Sequence, residues 1–105
     1  MKPVLILIPP NNFRDEELVE TLKVLSKEKI PVVIASNGVI KAAGLKNTVI
    51  EVQADYEKID ISDFSTLILI GGEGTEIYFE DPIAHDLIKK AKIVAAICNA
   101  PRALA

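Results

Sequence analysis

Four apolar runs divide the chain: VLILI from Val4 to Ile8, PVVIAS from Pro31 to Ser36, TLILI from Thr66 to Ile70 and KIVAAI from Lys92 to Ile97. They do not alternate apolar with polar residues. Pro3 and PPNN bound the first, Asn37-Gly38 follows the second, and GGEG follows the third. Continuous runs of this length predict strands buried on both faces, as in a parallel sheet.

A helical pattern fills the space after the first run. In NNFRDEELVETLKVLSKEK, Leu18, Val19, Leu22 and Leu25 fall on one stripe. Asn11 or Asn12 is the expected cap. Acids crowd the first turn, and Lys23, Lys27 and Lys29 crowd the last, which suits the helix dipole. A second helix is expected in EDPIAHDLIKKA, from Glu80 to Ala91. Asp81 would cap it, Pro82 suits its first position, and Ile83, Leu87, Ile88 and Ala91 form its stripe.

Between the second and third runs, VIKAA and TVIEV predict two short strands of an antiparallel excursion. Turns are marked by Asn37-Gly38 and by Gly44 with Asn47. QADYEKIDISDF, from Gln53 to Phe64, is polar and is expected to be an irregular connection. Strand–helix–strand alternation implies an α/β parallel sheet with right-handed crossovers. With no internal repeat, low-complexity segment or linker, residues 1–105 are expected to be one domain or part of one.

Composition narrows the function classes. Half of the 105 residues are hydrophobic and 26% are charged, enough to bury a core. A net charge of −3, scattered lysines and few aromatics point to no nucleic-acid or anionic-membrane partner. The N-terminal apolar run is too short for a membrane span and lacks a small-residue cleavage site, so a cytoplasmic protein is expected. A single cysteine leaves no internal disulfide and no CxxC metal site, and fits a reducing compartment. No cofactor or metal is expected.

In an open α/β sheet, sites form outside the carboxyl ends of the strands. Cys98 follows the fourth run within Ala96-Ile97-Cys98-Asn99-Ala100. Small residues two before and two after a nucleophile are what a sharp strand-to-helix turn requires, so this is the pattern of a nucleophile elbow with Cys for Ser. A helix N-terminus beyond it would favour the thiolate. The plain alternative is a buried, inert thiol. GGEG permits backbone amides to face a ligand, and Gly72 with the amide of Asn99 could form an oxyanion hole; a simple tight turn is the alternative.

Asp15, Glu16 and Glu17 open the first helix. Glu16 and Glu20 point away from the apolar stripe, whereas Glu17 lies at its edge, in line with Thr21 and Val24. A carboxylate beside a thiol can orient it or exchange its proton, although dipole complementation alone would account for all three acids. His85 lies off its helix's stripe and is expected on the surface, so no Cys/His pair is visible.

FRDEELVETLKVLSKEKIPVVIAS, LILIGGEGTE and VAAICNAPRALA, in this order and spacing, resemble the DJ-1/PfpI superfamily over essentially the whole chain. The resemblance implies a flavodoxin-like parallel-sheet sandwich of the class I glutamine amidotransferase-like type. It makes Cys98 the reactive, easily oxidised cysteine and Glu17 the glutamate that contacts its sulfur. It matches Gly72 and Asn99 to the amides facing the oxyanion. Glu76 matches an acid that, in the protease-like branch, reaches a neighbouring subunit's site, which implies a homo-oligomer.

Asn99 stands where that branch has His directly after Cys, and Asn cannot accept a proton as imidazole does, which argues against a peptidase. Other branches take an active-site His from a later portion of the domain. The sequence stops one turn into the elbow helix, which is too short to be stable alone. It is therefore expected to be the N-terminal part of an incomplete domain, with a C-terminal fragment of the same protein as a partner.

Three alternatives stay open. One is a cysteine-dependent glyoxalase-, deglycase- or hydrolase-like enzyme, acting on small carbonyl substrates or modified protein through Cys98 with Glu17 moving protons. Another is a redox-sensing or stress-protective, chaperone-like module in which Cys98 oxidises to sulfinic acid, held by a hydrogen bond from protonated Glu17. The last is a structural binding module with an unreactive thiol.

Overall fold

The computed structural model describes residues 2–8, 11–36, 41–44, 46, 48–55, 58–70, 87–91 and 93–96, without the side chains of Asn11, Asn12 and Ala96. The turn expected at Asn37-Gly38, Asn47, the start of VIKAA, Ile97 and the second helix through Asp86 lie outside them, with Asp81, Pro82 and Ile83.

All four apolar runs contain strands: β1 (Val4–Leu7), β3 (Val32–Ser36), β7 (Thr66–Leu69) and β8 (Val94–Ala96). With β6 (Ala54–Asp55) they share a five-stranded parallel sheet of order β6-β3-β1-β7-β8. β1 is central, with Ile6 opposite Ile34 on one side and Ile68 on the other. The chain thus builds outward from β1, first to β3 and then back across to β7. This is the doubly wound order.

Period-two alternation along β1 divides the core between the two sheet faces. Leu5 and Leu7 pack with Leu67, Leu69, Ile61 and Leu87. Val4, Ile6 and Ile8 pack with Ile34, Phe13, Leu18 and Ile70. The first face is covered by the helical residues 87–90 and the 3-10 turn Ile61–Asp63, the second by α1 (Asp15–Lys27). Both faces are apolar because both are covered, which is why the strands read as continuous hydrophobic runs.

Two expectations are corrected. Neither Asn11 nor Asn12 caps α1. They belong to β2 (Asn11–Phe13), which pairs parallel with β4 (Lys41–Gly44), and the cap position falls to Arg14, whose side chain makes no capping bond. The connection from Gln53 to Phe64 is also more ordered than its polarity suggested. Ala54–Asp55 forms β6, a parallel edge strand on β3, and Asp60 caps the 3-10 turn by accepting from the Ser62 N–H. The excursion is as expected: β4 and β5 (Val49–Glu51) pair antiparallel and form a small sheet with β2.

α1 terminates in a Schellman arrangement. Ile30 N–H reaches Leu25 O, and Lys29 N–H reaches Ser26 O. Lys29 occupies the left-handed region at φ 56°, where glycine is more usual. The turn delivers the chain directly into β3. Among the described residues no helix is long and apolar enough to cross a membrane.

Candidate functional site

The parallel pairing puts the carboxyl ends of β1, β7 and β8 on one edge of the sheet. The ends are stitched together. Ile8 N–H donates to Ala35 O, Ile70 N–H donates to Leu7 O, and the buried Ser36 hydroxyl donates to Ile8 O at 2.7 Å. Leu18, in the first turns of α1, shares a cluster with Ile8 and Ile70, the residues just beyond β1 and β7. The start of α1 is therefore fixed over this edge.

That placement gives the three first-turn acids three different environments. Glu16 is exposed. Its Oε1 lies 3.3 Å from Arg14 Nε and its Oε2 lies 3.6 Å from Lys46 Nζ. Its own backbone N–H, together with Lys46 and Arg14, holds its carboxyl below the usual range.

Asp15 is buried and belongs to the scaffold. Its Oδ1 accepts from Lys46 N–H at 2.8 Å and its Oδ2 from Thr48 N–H at 3.0 Å. Burial alone would raise its pKa. The Thr48 hydroxyl and the Lys46 and Thr48 amides outweigh burial and lower it from 3.8 to about 2. The carboxylate thereby ties α1 to the β4–β5 hairpin.

Glu17 faces inward. Its side chain is 13% exposed, and its Oε2 lies 3.3 Å from Arg14 Nε. Its Oε1 is buried with no hydrogen-bond partner among the described residues. A buried carboxylate oxygen without a donor is costly, and native structures seldom leave one so. The backbone beneath it is secured by Thr21, whose hydroxyl donates to Glu17 O at 2.6 Å. Glu17 thus has the inward edge position expected of it, and Glu16 and Glu20 are exposed as expected.

Cys98, Gly72, Asn99, Glu76 and His85 lie outside the described residues. In the sequence Cys98 stands two positions beyond Ala96, the last residue of β8. Asp15 was not singled out by sequence, because its position in the first turn already had a sufficient explanation in the helix dipole. Arg14 was missed because its role comes from the facing acids rather than from a motif. A cavity of about 500 Å³ opens at the opposite edge, where Lys2 precedes β1 and Ser65 precedes β7, and Glu17 is not among its lining residues. Among the described residues no group of His, Cys, Asp and Glu could hold a metal ion.

An open α/β sheet with an inward carboxylate over its carboxyl edge defines the class, and comparison with known proteins gives the family. The DJ-1/PfpI family model matches residues 2–105, and the chain belongs to that family. An uncharacterised protein of Methanocaldococcus jannaschii is 29% identical over 97% of this chain and 52% of its own length. A protein of Thermococcus kodakarensis named a deglycase is 29% identical over 94% of this chain and 62% of its own length. A Pyrococcus horikoshii protein of the same name is 28% identical over 94% of this chain and 62% of its own. The chain thus spans 52% to 62% of the length of these relatives. Among solved structures, the ThiJ/PfpI domain protein from Brachyspira murdochii matches with a TM-score of 0.91 at 21% identity, covering 99% of this chain and 62% of that one. This likeness establishes the flavodoxin-like fold.

Proposed function

We propose that the protein acts on small carbonyl compounds or their adducts with amines, through Cys98 as nucleophile and Glu17 as its proton-transfer partner. The observation that carries this is the buried Glu17 Oε1, unpartnered among the described residues, over the carboxyl edge of the sheet, where sites of open α/β folds form. Family membership and the two relatives named deglycase support the substrate class.

The first step balances simply. The Cys98 thiol gives its proton to Glu17, and the thiolate forms a C–S bond to the carbonyl carbon. The C=O π pair moves to oxygen, and Glu17 returns the proton there, giving a hemithioacetal. The backbone amides of Gly72 and Asn99 hold the developing oxyanion in this scheme. Hydrolytic and glyoxalase-like outcomes diverge only afterwards. Asn99 in place of His leaves the protein without the base a Cys-His-Glu peptidase needs at that position.

The test is methylglyoxal consumption by the full-length protein, with Cys98→Ser and Glu17→Gln alongside. Loss of turnover in both variants is expected. Undiminished turnover in both would overturn the assignment. A stable two-oxygen adduct on Cys98 after mild peroxide, with no methylglyoxal consumed, would replace it with the redox-sensing function.

A further inference from the structure

We infer that Arg14 is a positioning residue for Glu17: its guanidinium holds Oε2, so that Oε1 is the oxygen presented for proton exchange. This rests on the proposed Glu17–Cys98 partnership and adds how the carboxyl is oriented. The two oxygens of Glu17 are not equivalent. Oε2 lies 3.3 Å from Arg14 Nε, and Oε1 is buried without a partner among the described residues. A proton on Oε2 would abut a permanent cation, because guanidinium does not deprotonate in proteins. The proton that Glu17 takes up therefore sits on Oε1.

Arg14 is shared. The same Nε lies 3.3 Å from Glu16 Oε1, so Glu16 and Glu17 share one cation. Lys46 Nζ, 3.6 Å from Glu16 Oε2, supplies Glu16 with a second cation. Asp15 fixes the Lys46 backbone, and so the whole chain of charges is anchored to the hairpin turn. Arg14 makes no side-chain capping bond, so replacing it removes ion pairs and no cap.

The pairs at Arg14 are partly exposed, so the effect is modest and sensitive to salt. The experiment measures alkylation of Cys98 by iodoacetamide in the full-length protein. Cys98 is the one cysteine of residues 1–105, and alkylation is read on the peptide that carries it, with no substrate needed. Arg14→Ala is expected to slow alkylation by about three- to fivefold, the scale of an exposed ion pair. Arg14→Lys should recover much of this, and raising the salt to about 1 M, where the Debye length falls to about 3 Å, should bring wild type toward Arg14→Ala.

In a Glu17→Gln background, Arg14→Ala should have no further effect. A bare through-space influence of the guanidinium on the thiol would survive there, whereas positioning through Glu17 would not. Wild-type alkylation by Arg14→Ala, or an equal loss in the Glu17→Gln background, overturns the inference while leaving Glu17 in place. Wild-type alkylation by Glu17→Gln alone removes the partnership itself, and the inference with it.

Discussion

The carboxylate of Asp15 fills the space that a side chain at Gly44 would need. A Cβ at position 44 would stand 2.6 Å from Asp15 Oδ1, well inside the distance at which unbonded carbon and oxygen repel. Gly44 is thus kept bare by an acid twenty-nine positions earlier in the chain, on a different element. Gly44→Ala is expected to destabilise the protein by about 1–3 kcal/mol in urea denaturation, the cost of overpacking a close contact. Placed in an Asp15→Ala background, the same change should add little, because the obstructing group is gone. Full additivity of the two would show that the contact is not the cause.

Asp15 also sets an acid limit. Its folded pKa of about 2 lies below the ordinary 3.8, so between these values the unfolded chain binds more proton than the folded one. Stability from this group is fully present above about pH 4 and is lost as pH falls through about 2. After discounting for solvent screening, it amounts to about 1–2 kcal/mol. Asp15→Asn should flatten the stability curve across this window, as followed by urea midpoints at pH 2, 3 and 5. A variant that keeps the wild-type slope there would assign the titration to another carboxyl.

The central strands were legible because cover on both faces calls for near-continuous apolar runs, VLIL in β1 and LIL after Thr66 in β7. What escaped was held by backbone pairing rather than by side-chain chemistry. Asn11 and Asn12 have poor strand propensity and good capping chemistry, yet they lie in β2, where Asn11 pairs with Ala43 and Phe13 packs beside Leu18. Ala54 and Asp55 are too few to show any period. Within the site, the edge position of Glu17 followed from the helical wheel. The burial of Asp15 did not, since it depends on the amides of Lys46 and Thr48, whose arrival at that spot is a tertiary event.

The division of the core between two faces predicts similar penalties on each. Leu5 and Ile6 are adjacent, fully buried and point to opposite sides of β1. Leu5→Ala and Ile6→Ala should each cost about 2–5 kcal/mol by urea denaturation. Val24, on α1 and 60% exposed, should tolerate Ala within about 0.5 kcal/mol. A Leu5→Ala cost below that of Val24→Ala would mean the face covered by residues 87–90 is not packed.

Under the proposed function, Glu17 sets chemistry against stability. Its Oε1 is buried without a partner among the described residues, a condition that costs about 1–3 kcal/mol. Its Oε2 regains part of that from Arg14, through a partly exposed pair worth about 0–1 kcal/mol. Glu17→Met keeps the volume and removes both oxygens, so it is expected to raise stability by about 1 kcal/mol, measured as the urea midpoint at neutral pH. The same variant should slow iodoacetamide alkylation of Cys98, because it leaves nothing to exchange the thiol proton. A gain in stability with slower alkylation identifies an acid retained for chemistry at a cost to the fold. A loss of stability of about 1 kcal/mol or more would instead show that Oε1 is satisfied in the folded protein and that Glu17 is a structural residue.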